Sequence, residues 1–299
     1  MSHDHDHHIS DYNRAFAMDF GLNLIFVVID AGYGVASGFL ALVADAGHNL
    51  SDVLSLLLAW WAGWLAQKPA TEKRTYGFSK VTIMASLASA ILLLVALGGI
   101  TWEAIGRFFD PKPVEGMTVI IVAAIGVVIN TVTALLFVSG QKHDLNIRGA
   151  FLHMAADAGV SLGVVVAGII IMATGWLMID PLISLFIVAV ILVGTWSLLR
   201  DSMNLAIDSV PEGIDMAGIK QYLTDLKNVY QIHDLHVWPM STTQVALSVH
   251  LIVGDADLGN DFLSNLQQQL HDRFGIEHST IQVEREDDAP CMLNKSGCM

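Results

Sequence analysis

The stretch Asp45-Ala46-Gly47-His48-Asn49-Leu50-Ser51-Asp52 sets ionisable side chains inside an apolar run long enough to cross a bilayer. On a helix His48 and Asp52 stand at i and i+4, so imidazole and carboxylate project from one face, with Asp45 near it. A charge facing lipid costs at least about 2.5 kcal/mol, so this group should turn toward protein, a cavity or a cation. Further along, His153-Met154-Ala155-Ala156-Asp157 offers the same pair early in another apolar segment. Together His48, Asp52, His153 and Asp157 make four ligands. Nitrogen and oxygen donors without thiolate suit tetrahedral zinc at about 2.0–2.2 Å, and two helices can enclose one ion between them. The plainer alternative is that each His bonds a neighbouring helix and each Asp caps or bridges. Two identical pairs on two spanning segments favour the metal.

With 54% hydrophobic and 15% charged residues and a mean hydropathy of +0.55, the composition is that of a polytopic membrane protein with a modest soluble portion. Apolar segments run from Phe16 to Phe39, Leu40 to Leu65, Val81 to Phe108, Met117 to Val138, Ile147 to Trp176 and Ile179 to Leu199, each long enough to span. The start lacks the pattern of a cleaved signal peptide, so the N-terminus is expected to be retained. If it is cytoplasmic, the inside collects Arg14, Lys68, Lys73, Arg74, Lys80, Lys142, Arg148 and Arg200, and the outside only Arg107 and Lys112. The positive-inside rule then gives six spans with both ends in the cytoplasm.

The net charge is −14, and after Asn204 fourteen acidic residues face Lys220, Lys227, Arg273, Arg285 and Lys295. An acidic tail argues against nucleic acid and is compatible with attracting cations, though a solvated surface accounts equally well for most of these residues. His3-Asp4-His5-Asp6-His7-His8 is a biased tract without the apolar content to fold, suited to weak capture of divalent metal or to no essential role. In the first span, Gly34-Val35-Ala36-Ser37-Gly38 reads as a close helix approach. Asn23 and Asp30 share that span, Asp30 as a second-tier candidate for a proton relay or a bond to a neighbouring helix. Asn130 in the fourth span reads as a helix-to-helix hydrogen bond.

Enzyme readings find no support. Gly159-Val160-Ser161-Leu162-Gly163 matches G-x-S-x-G but lies within an apolar helix instead of a strand-to-helix turn, where close helix packing explains it better. A zinc protease needs a Glu after its first His, and here Asn49 follows His48 and Met154 follows His153.

From about Ser209 to Asp288 the chain reads as a small α+β domain in the order αββαβ. Its helices are Ile214 to Leu226 and Asp261 to Phe274, and its strands Gln231 to Trp238, Gln244 to Val253 and Ser279 to Glu284. About 80 residues build only a small core, so pairing with a second copy would help. Of its histidines, which include His233 and His271, His236, His250 and His278 fall on or beside the three strands. They are expected to converge on one regulatory metal site that Glu284 or Asp287 completes. Cys291 and Cys298 should be reduced thiols; they can ligand zinc or do nothing. The expected organisation is a tail over 1–15, a six-helix transmembrane domain over 16–200, a cytoplasmic domain over 209–288 and a Cys-containing tail over 289–299.

The chain resembles the cation diffusion facilitator family of divalent metal transporters, and within it the zinc branch. The resemblance is carried by Ala44 through Asp52, Lys68-Pro69-Ala70-Thr71-Glu72-Lys73-Arg74-Thr75-Tyr76-Gly77-Phe78, Ala150 through Asp157, Asp180-Pro181 and Asp234-Leu235-His236-Val237-Trp238. It implies a homodimer of six-helix subunits with a metallochaperone-like cytoplasmic domain, exchanging cytosolic zinc for protons, with the transport site at His48, Asp52, His153 and Asp157. The expected setting is a lipid bilayer, as a bacterial inner-membrane protein. Alternating access with protons displacing zinc from the same ligands is the expected mechanism, for which histidine, with an unperturbed pKa near 6.5, is suited. The alternatives are Cd2+, Co2+ or Ni2+ as cargo, or a membrane-anchored zinc sensor. An anchor needs no His and Asp pairs inside two spans.

Overall fold

The computed structural model describes residues 21, 24–113, 115–138, 145–254 and 260–285. Two compact units divide the chain, one within 1–58 and 88–197, the other within 59–87 and 198–299.

The helices are α1 (Leu24–Ser37), α2 (Leu40–Ala66), α3 (Val81–Phe109), α4 (Gly116–Phe137), α5 (Leu145–Thr174) and α6 (Ile179–Ala206). By length and composition Val81–Phe109, Gly116–Leu136, Met154–Thr174 and Ile179–Ala206 can each cross a membrane. At about 1.5 Å per residue even a 20-residue helix covers the roughly 30 Å hydrocarbon core. α2, with 27 residues, carries the Asp45–Asp52 stretch. The first part of the expected opening span lies outside the described residues. The protein is a polytopic α-helical membrane protein with a C-terminal α+β domain.

In the membrane unit, Phe39, Leu42 and Ala44, Leu93 and Leu97, Val119 and Val122, Val164 and Ala167, and Ile187 and Ile191 form one buried cluster. Large apolar side chains point the other way, with Trp102 81% and Val193 75% exposed, as lipid-facing surfaces require. Lipid is as apolar as the helices, so small residues and polar contacts hold such bundles together. α4 and α5 pair through Gly116 and Gly168: a Cβ on Gly168 would stand 2.8 Å from the Ile120 side chain. Gly34 also packs closely, its missing Cβ 3.1 Å from Val43, whereas Gly38 at φ +67° forms the turn between α1 and α2. In the Gly159–Gly163 stretch, Ser161 meets Gly126 of α4 and Gly163 meets Ile183 of α6 at 3.9 Å, whereas nothing lies within 4 Å of the Gly159 Cβ position.

The α1–α2 turn is tied to two other helices. Arg107 of α3, almost fully buried, donates to the Gly38 carbonyl and to Asp180 of α6, and the Ala41 N–H donates to Asp180 Oδ1 at 3.0 Å. A carboxylate from α6 thus satisfies an orphan donor in the first turn of α2.

The second unit contains α7 (Met216–Thr224), β1 (Val229–Pro239), β2 (Val245–Val253), α8 (Asn260–Phe274) and β3 (His278–Arg285). Asp215 caps α7 through Gly218 N–H at 2.9 Å. The sheet order is β1-β2-β3, with β1 antiparallel and β3 parallel to β2. The parallel pair requires a crossover, which α8 supplies. Leu247, Val249 and Leu251 of β2 are buried against Ile219 and Leu223 of α7 and Leu266 and Leu270 of α8. The same unit includes the segment after α2, where Lys80 pairs with Asp208 at 2.6 Å and Tyr76 meets the His278 ring edge-on at 5.6 Å.

Candidate functional site

Antiparallel α2 and α5 face each other through two polar rungs one helical turn apart. In one, Ser161 Oγ donates to Asp45 Oδ2 at 3.1 Å; in the other, His48 Nε2 meets Asp157 Oδ1 at 3.3 Å. Three residues separate Asp45 from His48 and four separate Asp157 from Ser161, the two spacings that keep side chains on one face of a helix. Asp45 and Asp157 are buried. The His48–Asp157 contact joins the two pairs read from the sequence across 109 positions of chain.

Asp52 and His153 stand on α2 and α5, one turn from His48 and Asp157 respectively; their side chains lie outside the described residues. Asn130, read as a helix-to-helix hydrogen bond, is fully buried, with neither amide atom partnered among the described residues. Gly126, one turn before it on α4, would place a Cβ 3.2 Å from Ser161 Oγ, so on antiparallel α4 and α5 Asn130 comes level with Asp157. Asp30 is likewise fully buried, and neither of its oxygens has a hydrogen-bond partner among the described residues. Asn23 lies outside the described residues. An imidazole and a carboxylate that meet between two helices, one of them a candidate membrane span, can hold and release a cation.

The cytoplasmic unit presents a second cluster. His233, His250 and Glu284 each offer a ligand atom, all within 4.8 Å of one another. His250 Nδ1 lies 2.9 Å from Glu284 Oε1 and His233 Nε2 lies 3.6 Å from Glu284 Oε2, while the two rings meet edge-on at 5.0 Å. His233 is buried, with no hydrogen bond to either ring nitrogen among the described residues. A buried imidazole left so is costly unless something else binds it, and a metal ion meets that need.

Of the residues expected to converge, the structure brings together His250 and Glu284. His236 stands beside them, half exposed and bonded to Asp234 Oδ1 at 3.0 Å, and Asp234 Oδ2 lies 3.6 Å from His250 Nε2. His278 is not brought to the cluster. It pairs with Ala246 at the opposite end of β3, six residues from Glu284, or roughly 20 Å at strand rise. Asp287, Cys291 and Cys298 lie outside the described residues.

Sequence reasoning did not select His233, for a local reason. Counted back from the hairpin turn, where Pro239 pairs with Val245 and Trp238 with Ala246, an unbroken register would set Asp234 opposite His250. A bulge between His233 and His236, with Asp234 at φ +51°, shifts the pairing by one and sets His233 there instead. The available signal was Asp234 itself, since Asp is among the few residues that tolerate that backbone region.

Residues 18–205 match the family described as the cation efflux transmembrane domain, and residues 211–286 match the cation efflux protein cytoplasmic domain. The zinc transporter ZitB of Escherichia coli is 35% identical over 97% of this chain and 94% of its own length. The metal cation efflux system protein CzcD of Cupriavidus metallidurans is 35% identical over 97% and 90%. A cadmium, cobalt and zinc/H(+)-K(+) antiporter of Bacillus subtilis is 33% identical over 94% and 92%. The metal-bound C-terminal domain of the CzcD transporter, a solved structure, is 33% identical over 24% of this chain and 99% of that one, at a TM-score of 0.23. With both of its domains matched and relatives aligned over nearly their full length, the chain belongs to the cation efflux family.

Proposed function

We propose that this protein exports cytosolic Zn2+ in exchange for protons by alternating access, as a homodimer in a bacterial inner membrane with both termini in the cytoplasm. The observation that carries the reading is the His48–Asp157 contact between α2 and α5 at bilayer depth. Asp52 and His153, one turn away on the same helices, complete the transport site. Metal binds neutral imidazole and ionised carboxylate, so protons and zinc compete for these groups and a proton gradient can drive metal release. Relatives named as zinc transporters support zinc as cargo, and the Bacillus relative's name supports H+ as counter-ion. That name also supports cadmium and cobalt as further cargo, as expected where affinity alone does not enforce selectivity. The test is zinc uptake into inside-out vesicles with an imposed pH gradient, wild type against Asp157→Ala at matched yield and folding. Gradient-driven uptake lost in the variant supports the reading; zinc that moves in neither, or equally in both, overturns it.

For the cytoplasmic domain, His233, His250 and Glu284 fit a bound zinc ion by donor chemistry and by the unsatisfied ring of His233. Its positive charge would offset part of the acidic excess after Asn204 and favour association of two subunits. Spin-label distances between subunits should shorten on adding zinc to the full-length protein; unchanged distances count against this regulatory role.

A further inference from the structure

Among the described residues of the membrane unit, two buried acids lie outside the rungs between α2 and α5: Asp180, which Arg107 pairs, and Asp30. Asp30 is 0% exposed, and both carboxyl oxygens are buried with no hydrogen-bond partner among the described residues. Its surroundings are fixed by two close helix approaches. One turn further along α1, Gly34 brings backbone within reach of Val43 of α2. One turn back, the Phe26 ring occupies the space over Gly126 of α4, where a Cβ would stand 2.5 Å from it. Asp30 is therefore held between α2 and α4 in a packed interior.

On α2, the helix that Gly34 approaches, Asp45 belongs to the rung bonded by Ser161, one turn from the His48–Asp157 contact. Nearby α4 and α5 contribute Gly126 and Ser161, neither of them charged. No cationic side chain among the described residues pairs with Asp30. A fully buried carboxyl with no donor among the described residues has no fixed partner there to hold it in one protonation state.

We propose that Asp30 is a coupling residue whose carboxyl carries a proton of the exchange, separated from the metal-binding rung by Asp45. Its O–H bond forms with a proton taken from water on the acidic side and breaks to release that proton to the other side, with no change of oxidation state. A metal cation at His48 and Asp157 repels a proton at Asp30 across the close approach of α1 and α2. Metal and this proton thus oppose each other electrostatically, without sharing a ligand. The inference rests on the antiport reading above.

The experiment uses the full-length protein in proteoliposomes and measures two fluxes with radioactive zinc: zinc–zinc exchange at equal pH, and net uptake under an imposed pH gradient. Asp30→Asn keeps the side-chain shape and removes the titrating oxygen. Its exchange rate should stay within about twofold of wild type, whereas acceleration by the gradient should fall at least about threefold, protons that compete at the rung supplying the remainder, and Asp30→Glu should restore it. Should the Asn variant fail to fold, Asp30→Ser, smaller and also unable to titrate, takes its place. An unchanged gradient response, or loss of exchange together with gradient-driven uptake in a folded variant, overturns the proposal. Absence of gradient-driven uptake in the wild type overturns the antiport reading and this inference with it.

Discussion

The two metal-binding candidates use the same side chains on different backbones, and that difference decides how each can be recognised. In the membrane unit, His and Asp recur at i and i+4 on helices, and a helix holds that spacing on one face wherever it packs. Two pairs therefore imply two complementary faces, and α2 and α5 do meet through His48 and Asp157. In the cytoplasmic unit, the partners stand on three strands, where a one-residue slip changes which side chains are neighbours. The bulge in β1 is such a slip: it moves His233 opposite His250. Helical sites are thus legible from local spacing, whereas sites on sheets depend on register.

The largest expected effect breaks the comparison at its centre. Asp157→Ala should abolish zinc transport, whereas Glu284→Ala should leave transport intact and change only its dependence on cytosolic zinc, as vesicle uptake at varied zinc would show. Equal loss in both would mean that the two sites are not functionally distinct.

Next in size is the tie at the α1–α2 turn. Asp180→Ala leaves Arg107 buried beside only the Gly38 carbonyl and Glu103 and frees the Ala41 N–H, so it should cost about 3–5 kcal/mol, seen as a lowered unfolding temperature in detergent. Replacing Arg107 by Met at the same time should recover part of the loss. No recovery would show that the tie acts through the Ala41 contact.

Register against periodicity is tested by a smaller effect. His233→Ala should weaken zinc binding at the cytoplasmic cluster at least tenfold, about 1.4 kcal/mol, while His278→Ala leaves it unchanged in titration calorimetry of the protein with Asp157 also replaced. The reverse order would restore convergence of the three strand histidines and contradict the bulged register. Smallest is Ser161→Ala, which removes a donor from Asp45 and should cost about 1 kcal/mol of stability with transport reduced but present.

The same contrast runs through other residues. Arg107 counts from sequence as an outward positive charge, yet it is buried and ion-paired, because the positive-inside rule orders loops and says nothing of partners on other helices. Gly34 and Gly159 look alike as small residues in apolar runs; one packs against Val43 and the other faces open space. Asn130 and Asp30 were visible as polar residues in spans, but their lack of hydrogen-bond partners is a property of what surrounds them.

By itself the sequence determined the apolar lengths that make this a membrane protein, the αββαβ order of its tail and the i, i+4 pairs of α2 and α5. All are set by periodicity within one stretch of chain, which backbone geometry converts directly into length and face. Only the tertiary structure decided that His233 and not His278 joins His250 and Glu284, that Asp180 closes the first turn of α2, and that Asp30 has no hydrogen-bond partner among the described residues. Each of these depends on which residues from distant parts of the chain come within about 3–4 Å, and hydrogen bonds and metal ligation act only over that range.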